Sequence, residues 1–539
     1  VEQAVEKLNE CYGNRFYAVI RQRTFSKTQN AYLGRDRKRG AIEDLVDWMG
    51  GKEKDSLRLF GFLNRESRYL LTLDYDTEPQ IGALERLVAV ALHPENAPRF
   101  DEQGRMIGGY GVFSPAMTHL PTKGFDTPFG RLLLSLDVTR RYPSTHHELY
   151  QDLFQSGSFC GKGLMDLEVY RKRLSGKMPP EEVLSHDLLE GAVLKACYVS
   201  DLSFSESQPD TVLSYLNREH RWIRGDWQLF RAASLFPIAG IDRYKIADNL
   251  LRSLCPVVSF LMILIGAFLP FPIFLAVVLA ALLPEIASPY VRLISQALTG
   301  SSLSHRVVYY SRVLPEFEAG ILQSLYRIAA LPVLAYRSAD AIARALWRQL
   351  VSRKKLLEWT VFNPHAGKGE GMNYYREFWG PTLVTALVSV ALAAAGKWTC
   401  LLFWFWCLTP VLFTVLSMPY RKKEILQSVH FREKVLSWSE RMWRYVDDHL
   451  TPEDHFLLPD NEQVSPDRGT AHRTSPTNLG LSLLAVLSAR DLGFIGTDRM
   501  VERLESVLDS LEKLESFDGH LLNWYDTTTM QPLLPRYLS

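Results

Sequence analysis

Two acidic residues one position apart are the first sign of chemistry in this sequence. Asp74 and Asp76 follow an apolar, strand-like run, Tyr69-Leu-Leu-Thr-Leu73. If the extended geometry continues, side chains alternate along the strand and the two carboxylates point the same way. The two carboxylates repel each other unless a cation lies between them. Their oxygens suit Mg²⁺ or Mn²⁺ that is already bound to nucleotide phosphates. The pair therefore predicts a metal site, with an Asx turn that closes the strand as the alternative.

Candidates for acid-base and anion chemistry follow further along the chain. Asp187 lies within Ser185-His-Asp-Leu-Leu-Glu-Gly191, and two arginines and a tryptophan lie within Arg218-Glu-His-Arg-Trp222. An enzyme that transfers sugar from a sugar nucleotide and inverts the anomeric carbon needs three groups. They are a metal ion that binds the diphosphate, a carboxylate that takes the proton of the acceptor hydroxyl, and a cation that assists the leaving group. The sequence offers one candidate for each, in that order. Taken alone, Asp187 also suits a helix N-cap, and the Arg-Trp pair suits a surface cation–π contact.

Composition limits the function classes. The 539 residues carry a net charge of +1, so the charge balance does not indicate nucleic acid as a partner. The six cysteines lack metal-ligand spacing, which fits a reducing compartment better than a disulfide framework. The charged start of the chain is not a signal peptide, and Val1 in place of Met favours a fragment of a longer protein.

Four uncharged apolar runs predict a membrane domain. They form two pairs, Leu254–Leu269 with Phe271–Leu283 and Pro381–Ala395 with Thr399–Met418. Each run is at or below the usual spanning length of about 20 residues, but as hairpins they predict four membrane helices, with buried core helices as the alternative. Both hairpins are flanked by basic residues: Arg243, Lys245, Arg252, Arg344, Arg348, Arg353, Lys354, Lys355, Arg421, Lys422 and Lys423. The positive-inside rule then places residues 1–250, 288–377 and 420–539 in the cytoplasm.

These patterns divide the chain into five parts. Strand-like runs alternate with helical patterns over residues 1–240, as in an α/β domain. Transmembrane hairpins are expected at 245–290 and 378–420, with cytosolic or interfacial helices at 291–377 between them. Residues 421–539 form a linker and the opening of a helical domain.

In their order, the motifs resemble the processive inverting glycosyltransferases of the cellulose synthase type. That family has the pattern DxD, FCG, (T)ED and QxxRW, followed by membrane helices. The matching stretches here are Asp74-Tyr-Asp76, Phe159-Cys-Gly-Lys-Gly163, His186-Asp187 and Arg218-x-x-Arg221-Trp222. His186 departs from the Glu of the pattern and Arg218 from the Gln. Those departures, with the basic loop 34–40 and the stretch 185–191, resemble the cyclic β-1,2-glucan synthases.

The resemblance implies a fold class. It is an α/β GT-A-type glycosyltransferase domain, N-terminally incomplete, plus α-helical transmembrane hairpins and the start of an all-α (α/α) glycoamylase-like domain, which stretches 473–480 and 519–526 resemble. The strand with the uracil-binding aspartate would precede Val1, and the glycoamylase-like domain would continue past Ser539. The implied partners are UDP-glucose, the growing β-glucan chain, the membrane lipid bilayer and the remaining domains of the parent polypeptide. The implied location is the bacterial inner membrane, multi-pass, with the catalytic domain in the cytoplasm.

The resemblance also implies residue roles. Asp76 would coordinate Mg²⁺ or Mn²⁺, helped by Asp74. Asp187 would be the general base that deprotonates the acceptor 2-hydroxyl as it attacks C1 of UDP-α-glucose, which gives a β linkage by inversion. The remaining matched positions would bind the nucleotide sugar (Asp74, Lys38, Arg39, Arg218 and Arg221) or the acceptor (Trp222, Phe159, Cys160 and Gly161). For Lys38 and Arg39 a solvated charge run is the alternative.

The sequence predicts an inverting, processive glucosyltransferase that elongates β-1,2-glucan from UDP-glucose in cyclic β-1,2-glucan synthesis. One alternative is a related membrane β-glucan synthase that makes another linkage. The other is a non-catalytic membrane scaffold for the C-terminal carbohydrate-active domain. Metal-dependent binding of UDP-glucose separates the enzyme from the scaffold.

Overall fold

The structure is a computed structural model that describes residues 1–28, 30–61, 66–80, 82–102, 104, 106–119, 126–135, 148–298, 306–358, 374–419 and 429–538. The chain divides into two compact units, Val1–Tyr420 and Arg421–Ser539. The last basic flank used to predict membrane orientation, Arg421 to Lys423, lies outside the described residues.

Strands and helices of the first unit alternate up to residue 206, and helices follow. The strands are β1 (Tyr17–Arg21), β2 (Thr24–Ser26), β3 (Ala31–Leu33), β4 (Leu57–Gly61), β5 (Tyr69–Thr72), β6 (Glu78–Pro79), β7 (Arg99–Phe100), β8 (Met106–Gly108), β9 (Val112–His119), β10 (Gly163–Asp166) and β11 (Ala196–Glu206). The helices are α1 (Glu2–Tyr12), α2 (Arg37–Met49), α3 (Ala83–Leu92), α4 (Pro128–Ser135), α5 (Leu149–Phe154), α6 (Leu167–Arg173), α7 (Asp187–Leu194), α8 (Val212–Ala233), α9 (Gly240–Gly266), α10 (Phe271–Leu298), α11 (Arg306–Trp347), α12 (Tyr374–Glu377), α13 (Trp379–Ala394), α14 (Cys400–Trp406) and α15 (Thr409–Ser417). A π-helical turn, Arg348–Ser352, continues α11.

A five-stranded mixed sheet lies at the centre of the α/β part, in the order β5-β10-β9-β11-β6. Strand β10 is antiparallel to β5 and β9, whereas β11 is parallel to β9. Successive residues of a strand point to opposite faces, so Val112 contributes to one buried core and Phe113 to another. The first core includes residues of α6 and α7, and the second includes Leu87 and Ala91 of α3. Helices therefore cover both faces of the sheet.

The acidic pair does not continue β5 as an extended strand. Strand β5 ends at Thr72, and the chain turns. The turn is closed by Thr77, whose N–H donates to the Asp74 carbonyl oxygen at 3.2 Å and whose hydroxyl accepts from the Asp74 N–H at 3.1 Å. The condition under which both aspartates would share one face of a strand is therefore not met.

Several helices are long and apolar enough to cross a membrane. Three described segments meet that criterion, Gly240–Gly266, Ala319–Ser352 and Cys400–Ser417. Shorter apolar helices cover Phe271–Pro284 and Trp379–Ala394. Each apolar run identified in the sequence thus lies largely in one of these helices. The additional candidate is Ala319–Ser352, within the part assigned to cytosolic or interfacial helices.

The apolar helices pack on one another through a shared core and leave apolar outer faces. Ile263, Leu331 and Phe403 are each at most 1% exposed and lie in one cluster. Side chains on the outer faces, such as Ile265 and Val390, are at least 66% exposed. Large apolar patches of this kind suit a hydrocarbon environment rather than water.

The second unit is helical with short strand pairs. It contains α16 (Val429–His449), α17 (Pro476–Asp491), α18 (Thr497–Leu511), β12 (Glu462–Val464), β13 (Asp467–Thr470), β14 (Arg473–Thr474), β15 (Ser516–Phe517), β16 (His520–Leu521) and β17 (Tyr525–Asp526). The Ser475 hydroxyl caps α17 by accepting from the Asn478 N–H at 3.3 Å. Trp443, Val486 and Val507 share a buried core that joins the three helices.

Candidate functional site

Residues from well-separated parts of the sequence line one cavity of about 720 Å³ in the first unit. The lining includes ten of the predicted site residues: Lys38, Asp74, Asp76, Phe159, Cys160, Gly161, Asp187, Arg218, Arg221 and Trp222. Arg39 is not in the lining. It is 2% exposed, and its guanidinium forms an ion pair with Asp36 at 2.6 Å. Arg39 is therefore part of a buried ion-pair network beside the cavity.

Asp74 is held between two lysines. Its Oδ1 lies 2.7 Å from Lys38 Nζ, and its Oδ2 lies 3.1 Å from Lys162 Nζ. Burial alone would raise the pKa of Asp74, but the two ammonium groups lower it overall. Asp74 therefore stays ionised and fixes two cations at the cavity wall.

Asp76 has a different environment and fits a metal better. Burial raises the pKa of Asp76, and the nearby Glu206 carboxylate raises it further. Crowded carboxylates favour a bound cation, and Mg²⁺ in nucleotide sites takes one or two protein carboxylates while the phosphates supply other ligands. Asp76 therefore suits a divalent ion carried by a nucleotide. Both oxygens of Asp74 already contact lysines, so Asp74 suits that role less well.

Asp187 is the first residue of α7 and not its N-cap. The N-cap position is His186, which makes no side-chain capping hydrogen bond. Burial raises the pKa of Asp187; the imidazole of His186 counteracts this and the Glu190 carboxylate adds to it, with a net rise. A carboxylate whose pKa lies above its usual range is a stronger proton acceptor, as a general base requires.

Glycines allow the loop and helix around Asp187 to approach closely. Gly161 has φ +83°, and a Cβ there would lie 2.8 Å from Asp187 Oδ1. Its carbonyl oxygen accepts a hydrogen bond from Lys38 Nζ at 2.7 Å. On α8, a Cβ at Gly225 would lie 2.4 Å from the Cβ of Ser185, next to the start of α7. The glycines therefore bring the loop that contains Phe159-Cys-Gly161 (the FCG loop) and α8 against the start of α7.

Arginines concentrate positive charge on the cavity wall. Burial, followed by the charge of Arg218, lowers the pKa of Arg221 to about 10. Burial, followed by the charges of Arg221 and Arg224, lowers the pKa of Arg37 to about 10. Guanidinium groups held this close repel one another, so the binding of a polyanion between them is favoured. Their planar N–H donors match the oxygens of phosphate groups.

The Arg-Trp contact of the last motif is made by Arg218. Its guanidinium carbon lies 4.7 Å from the ring centroid of Trp222, one helical turn away, and its two Nη atoms lie 3.4 Å from Gln208 Oε1. Arg218 is 8% exposed. It therefore braces the indole within α8, which leaves Arg221 as the arginine of this motif better suited to phosphate.

The acceptor side of the predicted site is formed by the FCG loop. Phe159 is 4% exposed and packs in the sheet core. Burial raises the pKa of the Cys160 thiol. The thiol is therefore neutral, as expected of a packing residue rather than a nucleophile.

The cavity lining also includes charged residues that were not predicted, among them Arg37, Lys162, Glu206 and Asp226. Lys162 and Arg37 lie inside quoted motifs, so their charge next to a matched residue was an available signal. Glu206 and Asp226 lie at the end of β11 and within α8, where no motif marks them. Burial raises the pKa of Asp226 to about 7.

Comparison with known proteins agrees with the resemblance in the motifs. The chain is 33% identical to the cyclic beta-(1,2)-glucan synthase NdvB of Rhizobium meliloti (strain 1021) over 544 residues, which covers 97% of this chain and 19% of that protein. The chain thus spans about a fifth of the length of this relative. Residues 437–534, in the second unit, match a family described as a protein of unknown function, DUF3131. This chain is therefore similar, over nearly its whole length, to part of a cyclic β-1,2-glucan synthase, which confirms the resemblance that its motifs predicted.

Proposed function

We propose that this chain carries the site of an inverting, processive glucosyltransferase that uses UDP-glucose to elongate β-1,2-glucan in cyclic β-1,2-glucan synthesis. The observation that carries the proposal is that the four motifs and the basic loop meet in one cavity. We also propose that the sheet with helices on both faces is a GT-A-type fold, and that residues 421–539 belong to a glycoamylase-like domain.

The diphosphate of the nucleotide sugar would lie among Arg37, Lys38 and Arg221. This placement is supported by the crowded positive charge, which a polyanion would relieve. Asp76 would hold Mg²⁺ or Mn²⁺, and the ion would supply positive charge to the departing UDP. Lys38 and Lys162, already ordered by Asp74, would add donors on the same side.

Asp187 would accept the acceptor hydroxyl proton. As that proton moves to the carboxylate, the acceptor oxygen forms a bond to C1 of glucose, the bond from C1 to the UDP oxygen breaks, and UDP leaves with the electron pair. Attack from the face opposite UDP inverts C1 from α to β. Trp222 offers a flat face suited to a pyranose ring on the acceptor side.

The cavity also reaches the apolar helices. Asn249 and Pro256 of α9 and Tyr326 of α11 belong to its lining. We propose that the protein lies in the bacterial inner membrane as a multi-pass protein, with the catalytic residues on the cytoplasmic side, as the basic flanks of the apolar runs favour.

The test is incorporation of radiolabelled glucose from UDP-glucose by membranes that contain the full-length protein. We expect a β-1,2-linked product whose formation stops with EDTA and resumes with added Mg²⁺ or Mn²⁺. Asp76→Asn should lose this activity. Asp201→Asn, at a side chain that is 63% exposed and paired with Arg86 on the surface, is the matched control and should keep it. Another linkage in the product would favour the related-synthase alternative, and no UDP-glucose binding at all would favour the scaffold.

A further inference from the structure

Glu190 is a buried acid that the proposed mechanism does not use. It lies in α7, is 0% exposed, and neither carboxylate oxygen makes a hydrogen bond of good geometry to the described residues. Its ion-pair partner is His186, with Nδ1 3.0 Å from Glu190 Oε1. Burying a carboxylate is costly unless a cation offsets its charge, and a charged imidazole at this distance would do so.

His186 links that acid to Asp187. The same Nδ1 lies 3.4 Å from Asp187 Oδ1, and the ring is 7% exposed. Burial alone would lower the pKa of His186, but the carboxylates of Glu190 and Asp187 raise it overall. The ring therefore keeps its positive charge to higher pH than a free histidine does.

We propose that Glu190 and His186 form a positioning pair for Asp187, in which Glu190 holds a protonated imidazole and the imidazole holds the Asp187 carboxylate ionised and oriented toward the cavity. This inference rests on the proposed function, because it takes Asp187 as the base. The two residues are four apart at the start of α7, so the helix itself sets their contact. His186 stands where the related motif has Glu, and a glutamate there would face Glu190 with like charge.

Other charged groups act on the same carboxylate. Lys38 of α2 and Lys162 of the FCG loop favour its ionised form. From α8, Arg221 and Asp226 also interact with Asp187. Around the pair itself, Arg39 acts on His186, and Tyr170 of α6 interacts with Glu190. Loss of His186 should therefore shift the titration of Asp187 without abolishing its ionisation.

The test is the pH profile of glucose transfer in membranes that contain the full-length protein. In His186→Gln, we expect the acid limb to move to higher pH by about one unit, which lowers the rate about tenfold on that limb. The KM for UDP-glucose should change by less than about threefold, since the change acts on the proton acceptor.

A second variant covers the case in which His186→Gln leaves an unpaired buried charge and fails to fold. His186→Gln with Glu190→Gln removes that charge, so the amount of folded protein should recover. The acid limb should still lie above that of the wild type, because the imidazole acts more strongly on Asp187 than Glu190 does. His449→Gln, at an imidazole that lies 3.7 Å from Glu462 in the second unit, is the matched control and should leave the profile unchanged.

The outcomes separate this inference from the proposed function. If Asp187→Asn is inactive and the acid limb stays in place in both His186 variants, the positioning pair is wrong and the proposed function stands. If Asp187→Asn keeps its activity, the proposed function itself fails. His186, Asp187 and Glu190 also have ligand atoms within 4.8 Å of one another. Binding of Mn²⁺ without UDP-glucose that His186→Gln removes would make them a metal site and overturn the pair.

Discussion

At the residue scale, the two aspartates of the acidic pair differ in their neighbours, because two lysines surround Asp74. Each oxygen of Asp74 lies within hydrogen-bond distance of a lysine, whereas Asp76 lies near the Glu206 carboxylate. Asp74 therefore orders the cations that would meet a diphosphate, and Asp76 is the better ligand for a metal. The two acids lie one residue apart in the motif but suit different cations, lysine ammonium groups for Asp74 and a metal ion for Asp76.

Gly161 allows a direct test of the close approach between the FCG loop and Asp187. In Gly161→Ala, the new Cβ would meet Asp187 Oδ1 at 2.8 Å, in addition to the strain of φ +83°. We expect at least a tenfold loss of glucose transfer, because misplacing a reacting group by even about 1 Å is costly. The measurement is the rate of transfer per folded protein.

Gly176→Ala is the control for Gly161→Ala. Gly176 also has a positive φ, +69°, but a Cβ there would meet nothing within 4 Å. Both variants should lose about 1 kcal/mol of stability from backbone strain, and Gly176→Ala should transfer glucose normally. Equal activity in the two variants would show that the contact with Asp187 does not matter.

The buried carboxyl group of Asp226 should make the stability of the protein depend on pH. Its pKa is raised from 3.8 to about 7 by burial, so between these values the folded protein holds a proton that the unfolded chain releases. Stability from this group is therefore greatest below pH 3.8 and falls as pH rises toward 7. Asp226→Asn should match the wild type at low pH and exceed it at pH above about 7, by up to about 4 kcal/mol. Thermal unfolding in detergent across this range measures it, and a pH-independent difference would contradict it.

At the element scale, the first apolar helix is anchored to the loop before the FCG motif. Lys245 of α9 is 3% exposed, and its Nζ donates to the carbonyl oxygens of Ser156 and Gly157 at 2.7 and 3.1 Å. Asp242, one turn earlier, accepts from the Ser156 hydroxyl at 2.7 Å. The start of α9 therefore positions the loop that carries Phe159, Cys160 and Gly161.

Lys245→Met tests this anchor against Arg243→Met. Each change removes one positive charge that the sequence assigned to the membrane flank, but Arg243 is exposed whereas Lys245 is buried. Lys245→Met leaves buried acceptors unpaired, so we expect a loss of about 3 kcal/mol in stability and a marked loss of transfer. Arg243→Met should resemble the wild type. Equal effects of both changes would mean that Lys245 acts as a flanking charge and not as an anchor.

The strand before the acidic pair and the apolar helices were readable from the sequence, and the contacts between elements were not. The apolar run at residues 69–73 places β5 near its observed position, because local patterns reflect burial. The turn at Asp74 depends on the Thr77 hydroxyl, and the pairing of Asp74 with Lys162 depends on strands far apart in sequence. Motif order predicted which residues meet in the cavity. It could not separate Arg39, which faces Asp36, from Lys38, which faces the cavity.

At the scale of the whole molecule, the number of membrane crossings decides the side of the membrane on which the end of the chain lies. With the two predicted hairpins, residues 1–250 and 420–539 would lie on the same side. A fifth crossing by Ala319–Ser352, which is long and apolar enough to cross a membrane, would place residues 420–539 on the opposite side. Three arginines, Arg344, Arg348 and Arg353, lie at the C-terminal end of this segment. Their positive charges favour an interfacial or cytosolic position for that end.

Cysteine labelling in intact cells measures this topology. We expect Lys397→Cys, between α13 and α14, to react with a membrane-impermeant maleimide from outside. Glu85→Cys and Lys513→Cys, both at exposed positions of the two units, should react only after permeabilisation. The cysteine-free parent protein is the control. External labelling of Lys513→Cys, with Lys397→Cys reacting only after permeabilisation, would show that Ala319–Ser352 crosses the membrane.

The most direct test of the central claim is a comparison of UDP-glucose binding and glucose transfer in Asp187→Asn within the full-length protein. The account predicts binding within a few-fold of the wild type, because Asp187 does not hold the nucleotide. It predicts a loss of transfer of at least about a hundredfold, as for removal of a general base. Near-normal transfer by Asp187→Asn, in protein that inserts and folds normally, would contradict the assignment of this cavity as the glucosyltransferase site.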